Sequence, residues 1–107
     1  MSIIQLTPKE LQEKLQSEQK VFILDVREKS EYDIARIDGS SLIPLSLLPL
    51  KVDELDKSQD MVVLCHHGVR SMMACRYLEG AGFTRLYNLL GGINAWSLEC
   101  DESVPQY

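Results

Sequence analysis

The chain has 107 residues, a hydrophobic fraction of 45% and a formal net charge of −5, which suits one domain spanning residues 1–107 and leaves little room for a second. The acidic balance, with no long block of either sign, argues against non-specific nucleic-acid binding, which favours a basic surface. No apolar run approaches membrane-spanning length, and the opening MSIIQLTPKELQEKLQ lacks the basic start and apolar stretch of a secretion signal, so a soluble cytoplasmic protein without a membrane partner is expected.

In chain order, residues 3–6 form a short apolar run before Thr7-Pro8. Thr7 suits a helix cap, Pro8 its first turn, and Glu10 the position that completes a capping box. Leu11 and Leu15 then recur at helical spacing. Residues 21–26 (VFILDV) read as a buried strand by length and β-branched content. Residues 28–37 are mixed and read as helical; Asp38-Gly39 is a turn, and residues 41–44 are another short strand. Residues 45–55 are apolar but broken by Pro49, which suggests short helical turns. Residues 61–64 (MVVL) are a clear strand, and residues 71–81 a helix ended by Gly80 and Gly82. Residues 85–89 are the last strand, and Gly91-Gly92 opens a final helix through Trp96 to about Glu99. Short continuous strands alternating with helices predict an α/β fold: a mostly parallel central sheet flanked by helices on both faces. Ligands in such folds bind outside the carboxyl ends of the strands.

Three cysteines, Cys65, Cys75 and Cys100, form an odd set without scaffold spacing. Neither a disulfide framework nor a structural zinc site is expected, and no cofactor or metal is called for. Cys65 directly follows MVVL, in VVLCHHGVRSMMACRYL. Gly68 permits a tight turn, whose successive N–H groups make an anion-binding nest. The start of the next helix adds unpaired N–H groups and a positive dipole end, and Arg70 adds a fixed charge. A thiol so placed is expected to have a lowered pKa and to act as a nucleophile facing an anion pocket. The plain alternative is a small buried hydrophobe.

Three segments in order, ILDVREKSEYDIARIDGSSLIPL, VVLCHHGVRS and LYNLLGGINAW, make the chain resemble a single-domain rhodanese, a sulfurtransferase, from about Leu6 to Trp96. The resemblance implies that Cys65 takes sulfane sulfur from a donor such as thiosulfate, becomes a persulfide, and yields the sulfur to a thiophilic acceptor such as cyanide or a thiol. Loop N–H groups of His66, His67, Gly68, Val69, Arg70 and Ser71 would hold the thiolate and the terminal sulfur. Arg70 stands where the family often carries a cation that holds the anionic donor. Ser71 is expected to cap the helix rather than bind sulfur. Asp25 and Arg27 resemble a supporting pair near the site, and Gly91, Gly92 and Trp96 an architectural turn and core anchor. His66 and His67 are expected at the pocket rim, contributing mainly their backbone N–H groups. Cys75 is expected in the core, and Cys100 near the surface.

One departure is Ala35-Arg36-Ile37, where the family usually has Gly-His-Ile. Two alternatives stand beside sulfur transfer. A Cdc25-like phosphatase or arsenate reductase on a related fold needs Cys-x5-Arg to encircle its anion, but Cys65 and Arg70 enclose four residues, and Leu64 replaces the usual preceding His. A persulfide carrier or interaction module in a protein sulfur relay is the other, so a protein donor or acceptor is a candidate partner beside the small molecules.

Overall fold

The computed structural model describes residues 3–17 and 20–107. In chain order these form β1 (Ile3–Leu6), α1 (Pro8–Gln16), β2 (Val21–Asp25), α2 (Lys29–Ile34), β3 (Ser41–Leu42), α3 (Leu48–Lys51) between two 3-10 turns, β4 (Asp60–Leu64), α4 (Val69–Gly80), β5 (Leu86–Leu89) and α5 (Gly92–Glu99). The strands make one sheet in the order β1-β5-β4-β2-β3, with every neighbouring pair parallel. The α/β architecture expected from strand–helix alternation is therefore the one observed.

Local chemistry sets the first helix. Thr7 Oγ1 accepts the Glu10 N–H at 3.1 Å and Glu10 Oε1 accepts the Thr7 N–H at 2.9 Å, with Pro8 in the first turn. This reciprocal cap satisfies two backbone donors that the helix itself leaves unpaired. Leu11, fully buried, then turns the helix onto the sheet.

The sheet is covered on both sides, which explains its unbroken apolar strands. Successive side chains of a strand alternate between faces. Val62 and Leu64 pack with Leu11 of α1 and with Ile93 and Trp96 of α5. Met61, Val63 and Cys65 pack on the other face with Leu48 of α3 and with Ala74, Cys75 and Leu78 of α4. Cys65 thus follows directly on the central strand β4, packed on the α4 side.

Two expected boundaries move. The second helix covers only Lys29–Ile34, because Arg27 binds the Glu31 and Ala35 carbonyls and the chain turns extended at Ala35. The helix after Cys65 starts at Val69 rather than 71, because Gly68 adopts φ 109° and closes the turn early. That left-handed backbone is open to glycine and strained for other residues.

Candidate active site

The loop between β4 and α4 is four residues long, Cys65 to Gly68, and Arg70 and Ser71 lie in the first turn of α4. Cys65 is 1% exposed. Its Sγ accepts the Gly68 N–H at 3.0 Å and lies 3.4 Å from Ser71 Oγ. The backbone N–H groups of Val69, Arg70 and Ser71 belong to the first helical turn, where no carbonyl of the same helix can reach them.

Ser71 does not cap the helix as expected; it sits inside it, fully buried, and its hydroxyl donates to Asn88 Oδ1 at 2.5 Å. The early helix start is the reason: the cap position falls to Gly68, which has no side chain. Asn88 on β5 is also buried, and its amide nitrogen faces two acceptors, Gln5 Oε1 at 3.0 Å and the Gly68 carbonyl at 3.5 Å. The backbone carbonyl can only accept, so the Asn88 oxygen must face Ser71. Ser71 therefore gives its one hydrogen to Asn88 and presents a lone pair to Cys65.

The Gly91-Gly92 turn presses α5 against this loop. The Ile93 N–H donates to the Cys65 carbonyl at 2.9 Å and the Asn94 N–H to the His66 carbonyl at 3.1 Å. A carbonyl and the N–H that follows it point oppositely across a trans peptide. Fixing these two carbonyls on α5 turns the His66 and His67 N–H groups away from it. Gly92, at φ 62°, allows the approach: a Cβ there would lie 2.4 Å from the His66 carbonyl oxygen and 2.5 Å from that of Cys65.

The charged residues around the loop are paired. Arg27, 0% exposed, grips Asp25 in a fork, Nε to Oδ1 at 2.8 Å and Nη2 to Oδ2 at 2.6 Å. Its remaining donors reach the Ala35 carbonyl at 2.6 Å, the Glu31 carbonyl at 3.3 Å and the Tyr107 hydroxyl at 2.8 Å. Such saturation fits a charge held in the protein interior. Arg70 is also forked, its Nη1 and Nη2 on the Glu31 carboxylate at 2.6 and 2.9 Å. Glu31 further accepts the Tyr107 hydroxyl at 2.8 Å and the Glu28 N–H at 3.1 Å. The Arg70 contacts, more than the others, hold the Glu31 carboxyl at about 2, far below its ordinary 4.5. Arg70, expected as a cation for an anionic donor, is thus ion-paired with Glu31.

His66 and His67 stack with ring centroids 4.1 Å apart, and Tyr107 stacks on His66 at 4.1 Å and 11°. The segment after α5 is held down by Val104, which is buried and accepts the Ser97 hydroxyl. Burial, more than the neighbouring His67, lowers the His66 pKa and favours its neutral ring. Val69, also in the first turn of α4, points out to solvent. Cys75 is buried behind the site on α4, and burial pushes its thiol up to about 12, which keeps it protonated and unreactive. Cys100 is half-buried.

Arg36 stands away from the loop. Its guanidinium lies over the Tyr32 ring at 5.1 Å, and it lines a groove of about 420 Å³ with Trp96 and Val104 that includes no residue of the Cys65 loop. Sequence reading did not single out Asn88, Glu31 or Tyr107. The EYD of the first segment contains Glu31 and the YN of the third contains Asn88, but nothing local marks their partners.

The sequence profile of the Rhodanese-like domain family matches residues 7–99. A rhodanese-like/PpiC domain-containing chloroplastic protein of Arabidopsis thaliana is 39% identical over 89 residues, which cover 79% of this chain and 30% of that protein. A sulfurtransferase of Allochromatium vinosum is 36% identical over 87 residues, with 81% of each chain covered. This chain therefore spans under a third of the first relative and most of the second. The crystal structure of a rhodanese-like domain protein from Staphylococcus aureus superimposes with a TM-score of 0.85 at 32% identity, over 97% of this chain and 98% of that one.

Proposed function

Because this chain belongs to the rhodanese-like domain family, we propose that it is a sulfurtransferase that carries sulfane sulfur on Cys65, from a small donor of the thiosulfate or persulfide class to a thiophilic acceptor. The observation that carries this reading is the Cys65 sulfur, held by the Gly68 N–H at 3.0 Å at the open end of α4. A thiolate or a terminal persulfide sulfur is a soft anion without fixed geometry, and backbone donors stabilise it without a counter-charge. The first-turn N–H groups of α4 supply further donors and the positive end of a helix dipole. His66, His67, Gly68, Val69, Arg70 and Ser71 form the cradle; Asp25 at the end of β2 pairs with Arg27, which supports the cradle through Tyr107, stacked on His66.

In the first half-reaction the Cys65 thiolate attacks the outer sulfur of the donor. The donor's sulfur–sulfur bond breaks, its electron pair leaves with sulfite or a thiolate, and Cys65 keeps one extra sulfur. In the second, an acceptor nucleophile attacks that sulfur and Cys65 leaves as thiolate. Neither half needs an oxidant, and atoms and electrons balance in each.

A protein acceptor is a second reading, favoured by surface beside the loop. Val69, Met73 and Tyr77 follow one another at helical spacing on α4 and are 72%, 57% and 41% exposed, an apolar strip leading away from Cys65.

The test is mass spectrometry of the purified protein after incubation with a sulfane-sulfur donor. Wild type should gain one sulfur atom, lose it on addition of cyanide and release thiocyanate. Cys65→Ala should gain none. Loading that persists in Cys65→Ala would overturn the mechanism.

A further inference from the structure

The pairing of Arg70 bears on which donor the site accepts, an inference that rests on the sulfur-transfer reading above. We propose that Glu31 is a specificity-determining residue: by clamping Arg70 it turns the site against dianionic donors and toward the persulfides of thiols.

Thiosulfate carries two negative charges and must eject sulfite, itself a dianion near neutral pH. A site that binds it and stabilises the departing charge needs an uncompensated cation near the attacking sulfur. Two guanidiniums lie by this loop, and both are engaged. Arg27 is buried with all its contacts made to Asp25, two carbonyls and Tyr107. Arg70 is held in a fork by Glu31, with side-chain exposures of 36% and 20%. The two pairs, Arg27 with Asp25 and Arg70 with Glu31, sum to no net charge. His66 adds none while its ring stays neutral, as its partial burial favours. An incoming dianion must either displace the Glu31 carboxylate or lie beside it.

Glu31 is not loosely placed. Tyr107 donates to Oε2 and the Glu28 N–H to Oε1, so the carboxylate keeps two anchors besides Arg70. A thiol persulfide carries at most one charge on its transferable sulfur, and its leaving thiolate can take a proton from solvent. It needs the backbone donors at Cys65 but no free guanidinium. The transfer is R–S–SH plus the Cys65 thiolate, giving Cys65–S–SH and R–S⁻. One sulfur–sulfur bond breaks and one forms, with no change in total oxidation state.

The experiment measures kcat/KM for loading Cys65 from thiosulfate and from cysteine persulfide, in wild type and in Glu31→Gln. The amide keeps the size of the side chain and an acceptor for Tyr107, but removes the charge that neutralises Arg70. The ratio of thiosulfate to persulfide efficiency should rise about tenfold or more in Glu31→Gln, since each factor of ten needs only a modest change in electrostatic stabilisation. Tyr107→Phe, which removes one anchor of Glu31, should move the ratio the same way by a smaller factor. Wild type that prefers thiosulfate, or a ratio unchanged in Glu31→Gln, overturns the proposal while leaving sulfur transfer through Cys65 intact. If neither donor loads Cys65 in any variant, sulfur transfer itself fails and the proposal falls with it.

Discussion

At the scale of single residues, the site is organised by where one hydrogen points. Ser71 gives its hydroxyl proton to Asn88, so in this arrangement it can accept an S–H from Cys65 but cannot donate to a thiolate. When the sulfur becomes anionic, the hydroxyl must rotate and leave the Asn88 oxygen without a partner. Asn88→Leu removes that competition. Alkylation of Cys65 at a fixed, neutral pH should be faster in this variant, because Ser71 is then free to donate to the thiolate. The same substitution strands the Gln5 and Gly68 acceptors, and unfolding should show a loss of about 1–3 kcal/mol. An unchanged alkylation rate would show that Ser71 already donates to sulfur in the wild type. The sequence revealed Cys65, Gly68 and Arg70 because their chemistry is concentrated in one short motif. It concealed Asn88 and Glu31 because a polar residue's role depends on its partner. Ser71 finds Asn88 at a separation of 17 residues, Arg70 finds Glu31 at 39, and Tyr107 finds Glu31 at 76.

At the scale of elements, strands were the most legible feature. Residues 61–64 read as a buried strand because both faces of the sheet are covered, which removes the polar half of the alternation. The cap of α1 was legible for the opposite reason: Thr7, Pro8 and Glu10 are neighbours, and their bonds are local. The start of α4 was not, because a glycine states that a left-handed backbone is permitted and not where it will be used. Gly68 sits at the cap, and this moved Val69 and Arg70 from the loop into the helix and Ser71 from its start to its interior. The Gly91-Gly92 turn was read as architectural, and the structure gives the mechanism: Gly92 lets α5 donate to the carbonyls of Cys65 and His66. Gly92→Ala should therefore cost about 3 kcal/mol or more in a denaturation experiment, since it adds left-handed strain to a clash with backbone that cannot move aside. Gly39→Ala is the control. It shares a positive φ of 85° but its Cβ would meet nothing within 4 Å, so only the strain remains and the loss should be smaller.

At the scale of the whole molecule, the Glu31–Arg70 pair joins α2 to α4 across the mouth of the loop, and Tyr107 adds the segment after α5 to the same junction. Glu31 titrates lower in the folded protein than in the unfolded chain, so its contribution is complete above about 4.5 and is lost as pH falls toward about 2. Urea midpoints taken across that window should fall more steeply for wild type than for Glu31→Gln, which has no carboxyl to protonate there. Parallel slopes would show that the pair contributes nothing to folding, as many exposed pairs do. The strand order has a different consequence. β5 lies between β1 and β4, so residues 3–6 and 60–64 acquire their shared neighbour only when residues 86–89 arrive. A ribosome must release residues 86–89 before the central sheet can close, and the α5 donors that fix the loop come later still. Through that interval of synthesis the Cys65 thiol has neither its backbone cradle nor its burial. The growing polypeptide is therefore most vulnerable to oxidation at Cys65 before its own fold has closed over the thiol.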